Sequence, residues 1–303
     1  MAISSSPESL PSVAEILEPT PGAILRKRAL GDWGVMIGGG FMVVLLLVAF
    51  GAPLLTWHDP LGQDLFNRYV PPVWHENGSW VHPFGTDKFG RDYYTRIIYG
   101  ARVSLMIGFA VMLMSGVIGT AMGIAAGYFG GRVDMFVTFL INTRLAMPVV
   151  LIALAVIALI GSSLEVVILV LGFLLWERFA LVMRSSTQQV RNLDYVAAAE
   201  AAGCTTMRIL MTEIMPNVMN NLIVVATIEV AHAILLEAAL SFLGLGVQPP
   251  EPSWGLMISE GKGDMYFKPW VIAIPGIALF LMLLAINLLG DGIRDVTSPE
   301  SRN

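Results

Sequence analysis

Six long apolar stretches constrain this chain more than any other feature of its sequence. They cover residues 34–55, 103–127, 145–161, 164–183, 218–243 and 270–290. An α-helix needs about 20 apolar residues to cross the hydrocarbon core of a bilayer. Only 14% of the 303 residues are charged, which is well below the usual share in soluble domains. The sequence therefore predicts an all-α integral membrane protein with six transmembrane helices.

The third stretch is the shortest of the six. Arg144 limits its apolar part, so we expect the helix to begin near residue 134 in water and to place Arg144 at an interface. Pro148 is expected to kink this helix, since proline lacks the amide hydrogen that a helix interior needs, and neighbouring helices can tolerate such a kink.

The polar N-terminus indicates how the helices are oriented. Residues 1–32 contain several prolines and the basic group Arg26, Lys27 and Arg28, and they lack the short apolar run and cleavage site of a signal peptide. We expect a disordered cytoplasmic tail followed by a retained first span, since basic residues accumulate on the cytoplasmic side. Six spans would return a second cytoplasmic tail, residues 292–303, to the same side.

The long loop between the first two spans is expected on the outer side. Within it, residues 73–81 have Asn77-Gly78 at their centre and a tryptophan on either side. Because Asn-Gly favours the tight turns of β-hairpins, the pattern predicts a hairpin here. The loop histidines His58, His75 and His82 lack the close spacing of a zinc or nickel site, so no metal site is predicted.

A short, soluble-looking segment separates the fourth apolar stretch from the fifth. Asp194 can cap a first helix, which Gly203 is expected to end. Thr205 or Thr206 can cap a second helix, which is expected to end before Pro216. Because two such short helices are marginal on their own in water, we expect a partner on the cytoplasmic side to hold them.

This segment resembles the cytoplasmic coupling loop of the membrane subunits of bacterial ABC importers. In that family the loop carries Glu-Ala-Ala, a glycine, and an isoleucine shortly before Leu-Pro, and it docks on the ATPase. The matching residues here are Ala197, Ala198, Ala199, Gly203, Ile214, Met215 and Pro216. The acidic first residue is replaced by Ala197, with Glu200 one turn further on. The resemblance assigns these residues, together with Asp194 and Glu200, to ATPase coupling. It assigns no ATPase contact to Ala197 in place of the one that the acidic residue of the family would make.

Three further segments, residues 85–92, 237–261 and 289–295, are similar to the dipeptide, oligopeptide and nickel importers of this family. The resemblance implies a type I importer permease fold, with a core at residues 101–291 and a first span and outer loop at residues 33–100. It also implies an inner-membrane location, a second homologous permease subunit, two ATPase subunits and a periplasmic solute-binding protein.

The sequence shows no chemistry of its own. The nearest approach to a phosphate-binding loop is Gly261-Lys262, which lacks the first glycine and the following Ser or Thr. We therefore predict no catalytic residue and no cofactor site, and we expect ATP and Mg to be bound by the partner ATPases. No basic run indicates nucleic-acid binding.

Five ionisable residues fall within the predicted spans, where such groups are costly and commonly functional. They are Glu177, Arg178, Glu229, His232 and Glu237. One interpretation is that they line the translocation path or the interface with the second permease. The other is a structural ion pair or hydrogen-bond lock, for example between Glu177 or Arg178 and a group on span five. For Glu237, near the outer end of span five, we favour a structural lock below the bend at residues 241–246. For Glu177, Arg178, Glu229 and His232 both interpretations stay open.

The sequence thus favours the permease subunit of an ABC importer for di- or oligopeptides. Glutathione, nickel or another small solute are open alternatives for the substrate. A self-contained secondary transporter, with Glu229 and Glu237 as ion sites, is the alternative from another class.

Overall fold

The computed structural model describes residues 21–297. Five helices in this range are long and apolar enough to cross a bilayer: Trp33–Phe50, Tyr93–Phe129, Leu164–Arg191, Thr206–Phe242 and Trp270–Thr297. We refer to them as spans one, two, four, five and six. Span three is a bent pair of helices, Gly131–Leu145 and Val149–Ile160. The predicted all-α architecture is confirmed, and residues 21–297 contain no β-strand.

Shorter helices flank the spans. They are Pro21–Gly31, Ala52–Leu55, Asp194–Ala201 and Trp254–Gly261, with a 3₁₀ turn at Leu65–Asn67. The two predicted tails differ from the structure where it describes them. The chain is helical rather than disordered from Pro21 onward, and span six runs on to Thr297. The rest of the predicted tails, residues 1–20 and 298–303, lies outside the described residues.

The two halves of span three meet at an angle of 83°. Pro148 is the N-cap of the second half, so the predicted kink is confirmed. Arg144, which was expected at an interface, is buried inside the protein. Its guanidinium donates to the backbone oxygens of Leu174 (2.7 Å) and Met147 (3.3 Å). Span four is also broken, into the helices Leu164–Leu174 and Glu177–Arg191. Arg144 therefore satisfies carbonyl groups that the breaks in spans three and four leave without a helical partner.

Span two packs closely on span four through a row of glycines, Gly119, Gly123 and Gly127. A Cβ atom at Gly123 would lie 2.6 Å from the carbonyl oxygen of Ala180, and one at Gly127 would lie 2.7 Å from that of Arg184. Small residues let helix backbones approach this closely in lipid, where burial alone gives little attraction between helices. The packing role predicted for this spacing is confirmed.

The loop after span one folds differently from the prediction. Residues 73–81 form successive turns, in which the amide of His75 donates to Pro72 and the amide of Gly78 donates to His75, both over 2.9 Å. These turns use amides that a β-ladder would pair, and the adjacent prolines 71 and 72 offer no amide hydrogen to a ladder. The predicted β-hairpin is therefore wrong.

Ion pairs fasten this loop to the start of span two. Arg91 pairs with Asp87 (2.6 Å) and with Glu260 (2.9 Å), and Arg96 also pairs with Glu260 (3.0 Å). Since Glu260 lies on the short helix Trp254–Gly261, the loop and that helix are held together. We call this the loop end of the bundle, and the opposite end, between spans four and five, the hairpin end.

Candidate functional site

Residues 194–216, here called the hairpin, form two connected helices at the hairpin end. The first helix is Asp194–Ala201, and its N-cap is Leu193 rather than Asp194. The Leu193 carbonyl already accepts from the amide of Val196 over 3.0 Å, so the helix begins one residue earlier than predicted. The capping role of Asp194 is wrong. Its carboxylate instead lies in the first turn, where negative charge favours the helix dipole.

Gly203 ends the first helix, as predicted. Its φ is +77°, in the left-handed region that glycine adopts without strain. The Gly203 amide donates to Glu200 over 3.0 Å, and the Cys204 amide donates to Ala199 over 3.1 Å. No atom lies within 4 Å of a Cβ built on Gly203. Gly203 is therefore required for its backbone conformation, and not because a larger side chain would clash.

The second helix does not end before Pro216, and this prediction is wrong. It begins at Thr206, passes through a π-helical turn at Ile209–Ile214 and continues as span five. Thr205 is the N-cap, although its hydroxyl makes no capping hydrogen bond. Pro216 lies in the first turn of the resumed α-helix, where its missing amide hydrogen costs least. The second hairpin helix and span five are thus one continuous helical element.

The inner side of the hairpin packs on the ends of the spans. Its buried apolar residues are Val196, Ile209 and Ile214, each at most 2% exposed. They form one cluster with Tyr128 of span two and with Met183 of span four, joined by Val218 of span five. Displacing the hairpin would therefore displace the ends of three spans.

The outer side of the hairpin is open. The exposed members of the predicted coupling set are Asp194, Ala197, Ala198, Glu200, Gly203 and Pro216, with Ala199 and Met215 half-buried. In a regular α-helix Met207, Met211 and Ile214 would share one face, but Met207 and Met211 are 66% and 64% exposed whereas Ile214 is buried. The π-turn changes the number of residues per turn, which explains why a regular 3.6-residue pattern failed here. An apolar, small-residue surface is left without a partner in the described residues.

Three of the ionisable residues in the spans lie together. Arg178 of span four pairs with Glu229 of span five, with 3.1 Å between Nη1 and Oε1, and Nδ1 of His232 lies 3.3 Å from the other oxygen of Glu229. The Glu229 side chain is 1% exposed, whereas that of Arg178 is 47% exposed. Arg178 and Glu229 thus form the ion pair between spans four and five that the structural interpretation predicts. A role of these residues in the path or in the permease interface stays a prediction.

The other two predicted residues lie apart from this cluster. Glu237 is buried, and its Oε1 accepts from the hydroxyls of Ser241 (2.7 Å) and Ser253 (3.0 Å). These bonds hold the end of span five to the start of helix Trp254–Gly261, which is the lock that we favoured. Glu177 is buried 3.9 Å from Arg144, at the break in span four, and within residues 21–297 it forms no hydrogen bond or ion pair with span five.

Two contacts at the hairpin end were missed from the sequence. Arg184 forms a salt bridge with Asp134 at the start of span three. The hydroxyl of Tyr128 donates to Glu200 of the hairpin over 3.1 Å. No spacing rule could pair Asp134 with Arg184, which lie 50 residues apart. Tyr128 had a recognisable signal, because an aromatic residue at the end of a span is typical of the membrane boundary.

An apolar cleft of about 590 Å³ runs from the hairpin along spans two and five. Its lining includes the methionines Met112, Met207, Met211, Met215 and Met219. Methionine side chains are flexible and adapt to varied apolar partners. Apart from Thr120 the cleft is lined by apolar residues and glycine, which suits contact with another apolar surface.

Comparison with known proteins agrees with this geometry. Residues 119–303 match the family model described as binding-protein-dependent transport system inner membrane component. Residues 20–72 match the model of the N-terminal TM domain of oligopeptide transport permease C. Among solved structures, the inward-facing MetNI methionine ABC transporter matches with a TM-score of 0.54 at 18% identity, over 66% of this chain and 96% of that chain. This likeness supports the predicted type I permease fold.

Several curated relatives match over nearly their whole length. A dipeptide transport system permease protein of Haemophilus influenzae is 36% identical over 88% of this chain and 90% of the relative. A di/tripeptide transport system permease protein of Pseudomonas aeruginosa is 35% identical over 100% and 99%. A glutathione transport system permease protein of Pectobacterium atrosepticum is 34% identical over 97% and 96%. The chain therefore belongs to the family of binding-protein-dependent transport system inner membrane components, as a multi-pass inner-membrane protein.

Proposed function

We propose that this chain is the permease subunit of an ABC importer that moves di- or oligopeptides across the inner membrane. The observation that carries the proposal is the hairpin, which exposes an apolar and small-residue surface while its inner side packs on spans two, four and five. Such a surface suits a partner that delivers mechanical work to the spans. The peptide substrate follows the printed names of the relatives.

The work is supplied by two ATPase subunits, which bind ATP and Mg and dock on the hairpin. The hairpin end, and with it both chain termini, then lies in the cytoplasm. A periplasmic solute-binding protein delivers substrate at the loop end. A second, homologous permease covers the part of the methionine-lined cleft that runs along spans two and five, whereas Met207 and Met211, at the hairpin, face the ATPases. The substrate path lies between the two permeases.

Transport follows an alternating-access cycle in which ATP binding shifts the population between inward-open and outward-open states. Closure of the ATPases moves the hairpin. Because the π-turn joins the hairpin to span five without a break, the motion passes directly into that span. The Val196, Ile209 and Ile214 cluster carries it to spans two and four.

The exposed side chain of Arg178 places one charge at the surface of spans four and five, next to Glu229 and His232. We assign this cluster to the substrate path or the permease interface. Glutathione is a peptide of the same chemical class, whereas nickel or another small solute is the alternative. A secondary transporter is disfavoured because Glu229 is already paired with Arg178, and Glu237 is held by two serines.

A docking experiment tests the proposal. The double variant Met207→Asp/Met211→Asp is coexpressed with the partner subunits, and the ATPase that copurifies is quantified. We expect most of the ATPase to be lost, since two charges would enter an apolar contact. The control is Leu65→Asp, an equally apolar and exposed residue at the loop end. Unchanged ATPase recovery with the double variant, or peptide uptake by this chain alone without ATP, would refute the proposal.

A further inference from the structure

Three side chains that are far apart in sequence meet at the loop end. They are His58, which follows span one, His82 from the loop, and Asp92, the N-cap of span two. One ligand atom from each can be chosen so that all lie within 4.8 Å of one another. The two imidazole rings have their centroids 4.8 Å apart. The sequence spacing of the histidines gave no sign of this cluster, because the fold alone brings them together.

The charge balance of the cluster is unusual. The Asp92 side chain is 1% exposed, and both of its salt-bridge contacts in the described residues are with histidine, at 2.8 Å to His82 and 4.0 Å to His58. The nearby Arg96 is directed to Glu260 and Asp87 instead. A buried carboxylate needs a cation or hydrogen bonds to offset its lost hydration. A divalent cation bound between the three side chains would offset the charge of this buried carboxylate.

The ligand atoms are also poised for a metal ion. Nδ1 of His58 is buried and has no hydrogen-bond partner among the described residues. A tetrahedral ion with ligands at about 2.05 Å holds them about 3.3 Å apart. Nδ1 of His82 lies 2.8 Å from Oδ1 of Asp92, Nδ1 of His58 lies 4.0 Å from Oδ2, and one ligand atom from each side chain lies within 4.8 Å of the other two. Side-chain movements of about an ångström would therefore bring the three ligands to the tetrahedral spacing. The second oxygen of Asp92 accepts from the amide of Thr95 over 2.8 Å, which orients the carboxylate as outer-shell hydrogen bonds orient metal ligands.

We propose that His58, His82 and Asp92 bind a divalent first-row transition metal ion at the loop end. Two imidazoles and one carboxylate are a ligand set that suits Zn²⁺ and its neighbours in the row. The His58 side chain is 29% exposed, so the proposed site lies near the solvent-accessible surface of the loop. The ion joins the end of span one to the start of span two, and it fixes the loop between them.

Zinc binding to the full-length chain tests this site. The protein is prepared without a polyhistidine tag, together with its partner subunits, stripped with a chelator and titrated with Zn²⁺. We expect His58→Ala and His82→Ala each to lose one zinc equivalent per chain, or to weaken its binding at least tenfold. His75→Ala is the matched control, because this loop histidine contacts Trp270 and not the cluster, and it should leave uptake unchanged.

A spectroscopic measurement on the wild-type protein removes any dependence on the folding of the variants. Zinc-edge X-ray absorption should show imidazole ligands at about 2.0 Å. Asp92→Asn provides a variant that keeps an N-cap side chain while removing the charge, and it should also weaken binding. Equal zinc uptake by the wild type, His58→Ala and His82→Ala would overturn the proposal. So would an absorption spectrum without imidazole ligands.

Discussion

The hydroxyl of Tyr128 donates a hydrogen bond to the carboxylate of Glu200, with 3.1 Å between the two oxygens. Tyr128 lies at the end of span two, and Glu200 lies on the exposed first helix of the hairpin. The guanidinium of Arg191, at the end of span four, lies 5.2 Å from the Tyr128 ring. This tyrosine of span two therefore contacts both the hairpin and the end of span four.

Breaking this bond should weaken the connection between the hairpin and span two. Tyr128→Phe and Glu200→Ala are each expected to lower the free energy of unfolding by about 1 kcal/mol, the usual net value of one hydrogen bond. ATP-driven uptake should fall in both, and the double variant should be no worse than the worse single variant. Tyr195→Phe, on the same helix but exposed, is the control. Strictly additive losses in the double-mutant cycle would argue against the contact.

Removal of the two partners in the Arg178–Glu229 pair should have unequal effects. Arg178→Ala leaves a buried carboxylate without its guanidinium partner, which costs about 3 kcal/mol. Glu229→Gln leaves an arginine that is 47% exposed and can be hydrated. The thermal unfolding midpoint of the purified complex should therefore fall further with Arg178→Ala. The reverse order would contradict the assigned geometry.

The glycine row predicts a steric effect with a matched control. Gly123→Ala places a methyl group 2.6 Å from the Ala180 carbonyl oxygen, which is backbone and cannot move aside. Overpacking of this kind costs about 1–3 kcal/mol. Gly276→Ala in span six meets nothing within 4 Å, so the better helix propensity of alanine should leave stability equal or higher. Equal unfolding midpoints for the two variants would refute the close contact.

Tyr69 predicts a change of stability at high pH. Burial, together with a 2.5 Å hydrogen bond to Asp264, raises the pKa of Tyr69 from 10.0 to about 12. The stabilisation is fully present below pH 10, where Tyr69 is protonated in both states. It is lost as the pH rises towards 12, because the unfolded chain releases the proton first.

The test compares the thermal unfolding midpoints of the wild type and Tyr69→Phe from pH 9 to pH 12. The wild type should lose more stability than the variant over this interval, so the difference between the two should narrow. A constant difference across the interval would show that Tyr69 does not titrate in this way.

The sequence predicted those parts of the fold that depend on local pattern. The spans follow from runs of apolar residues, the kink from Pro148, and the end of the first hairpin helix from Gly203. The contacts that complete the site depend on tertiary proximity instead. Tyr128 and Glu200 lie 72 residues apart, and no local rule joins them.

Two errors have a shared physical cause, which is that backbone amides have more than one way to be satisfied. Residues 73–81 close their hydrogen bonds in successive turns rather than in a β-ladder. The second hairpin helix continues through Pro216, and the π-helical turn at Ile209–Ile214 lies directly before this proline. In both places the residue that favours the predicted structure is present, namely Asn77-Gly78 for a hairpin turn and Pro216 for a helix end. The backbone amides nearby form hydrogen bonds to other carbonyl groups instead.

If mechanical work enters this chain through the hairpin turn at Gly203, the number of peptides taken up per ATP hydrolysed must depend on the conformation of that turn. The complex is reconstituted in liposomes, and peptide uptake per ATP hydrolysed is compared for the wild type, Gly203→Val and Gly203→Asn. Valine is strained in the left-handed conformation by about 1 kcal/mol or more, whereas asparagine tolerates it. We predict that uptake per ATP falls roughly fivefold or more with valine and stays near the wild-type value with asparagine. Unchanged peptide uptake per ATP in Gly203→Val would show that work does not enter the chain through this turn.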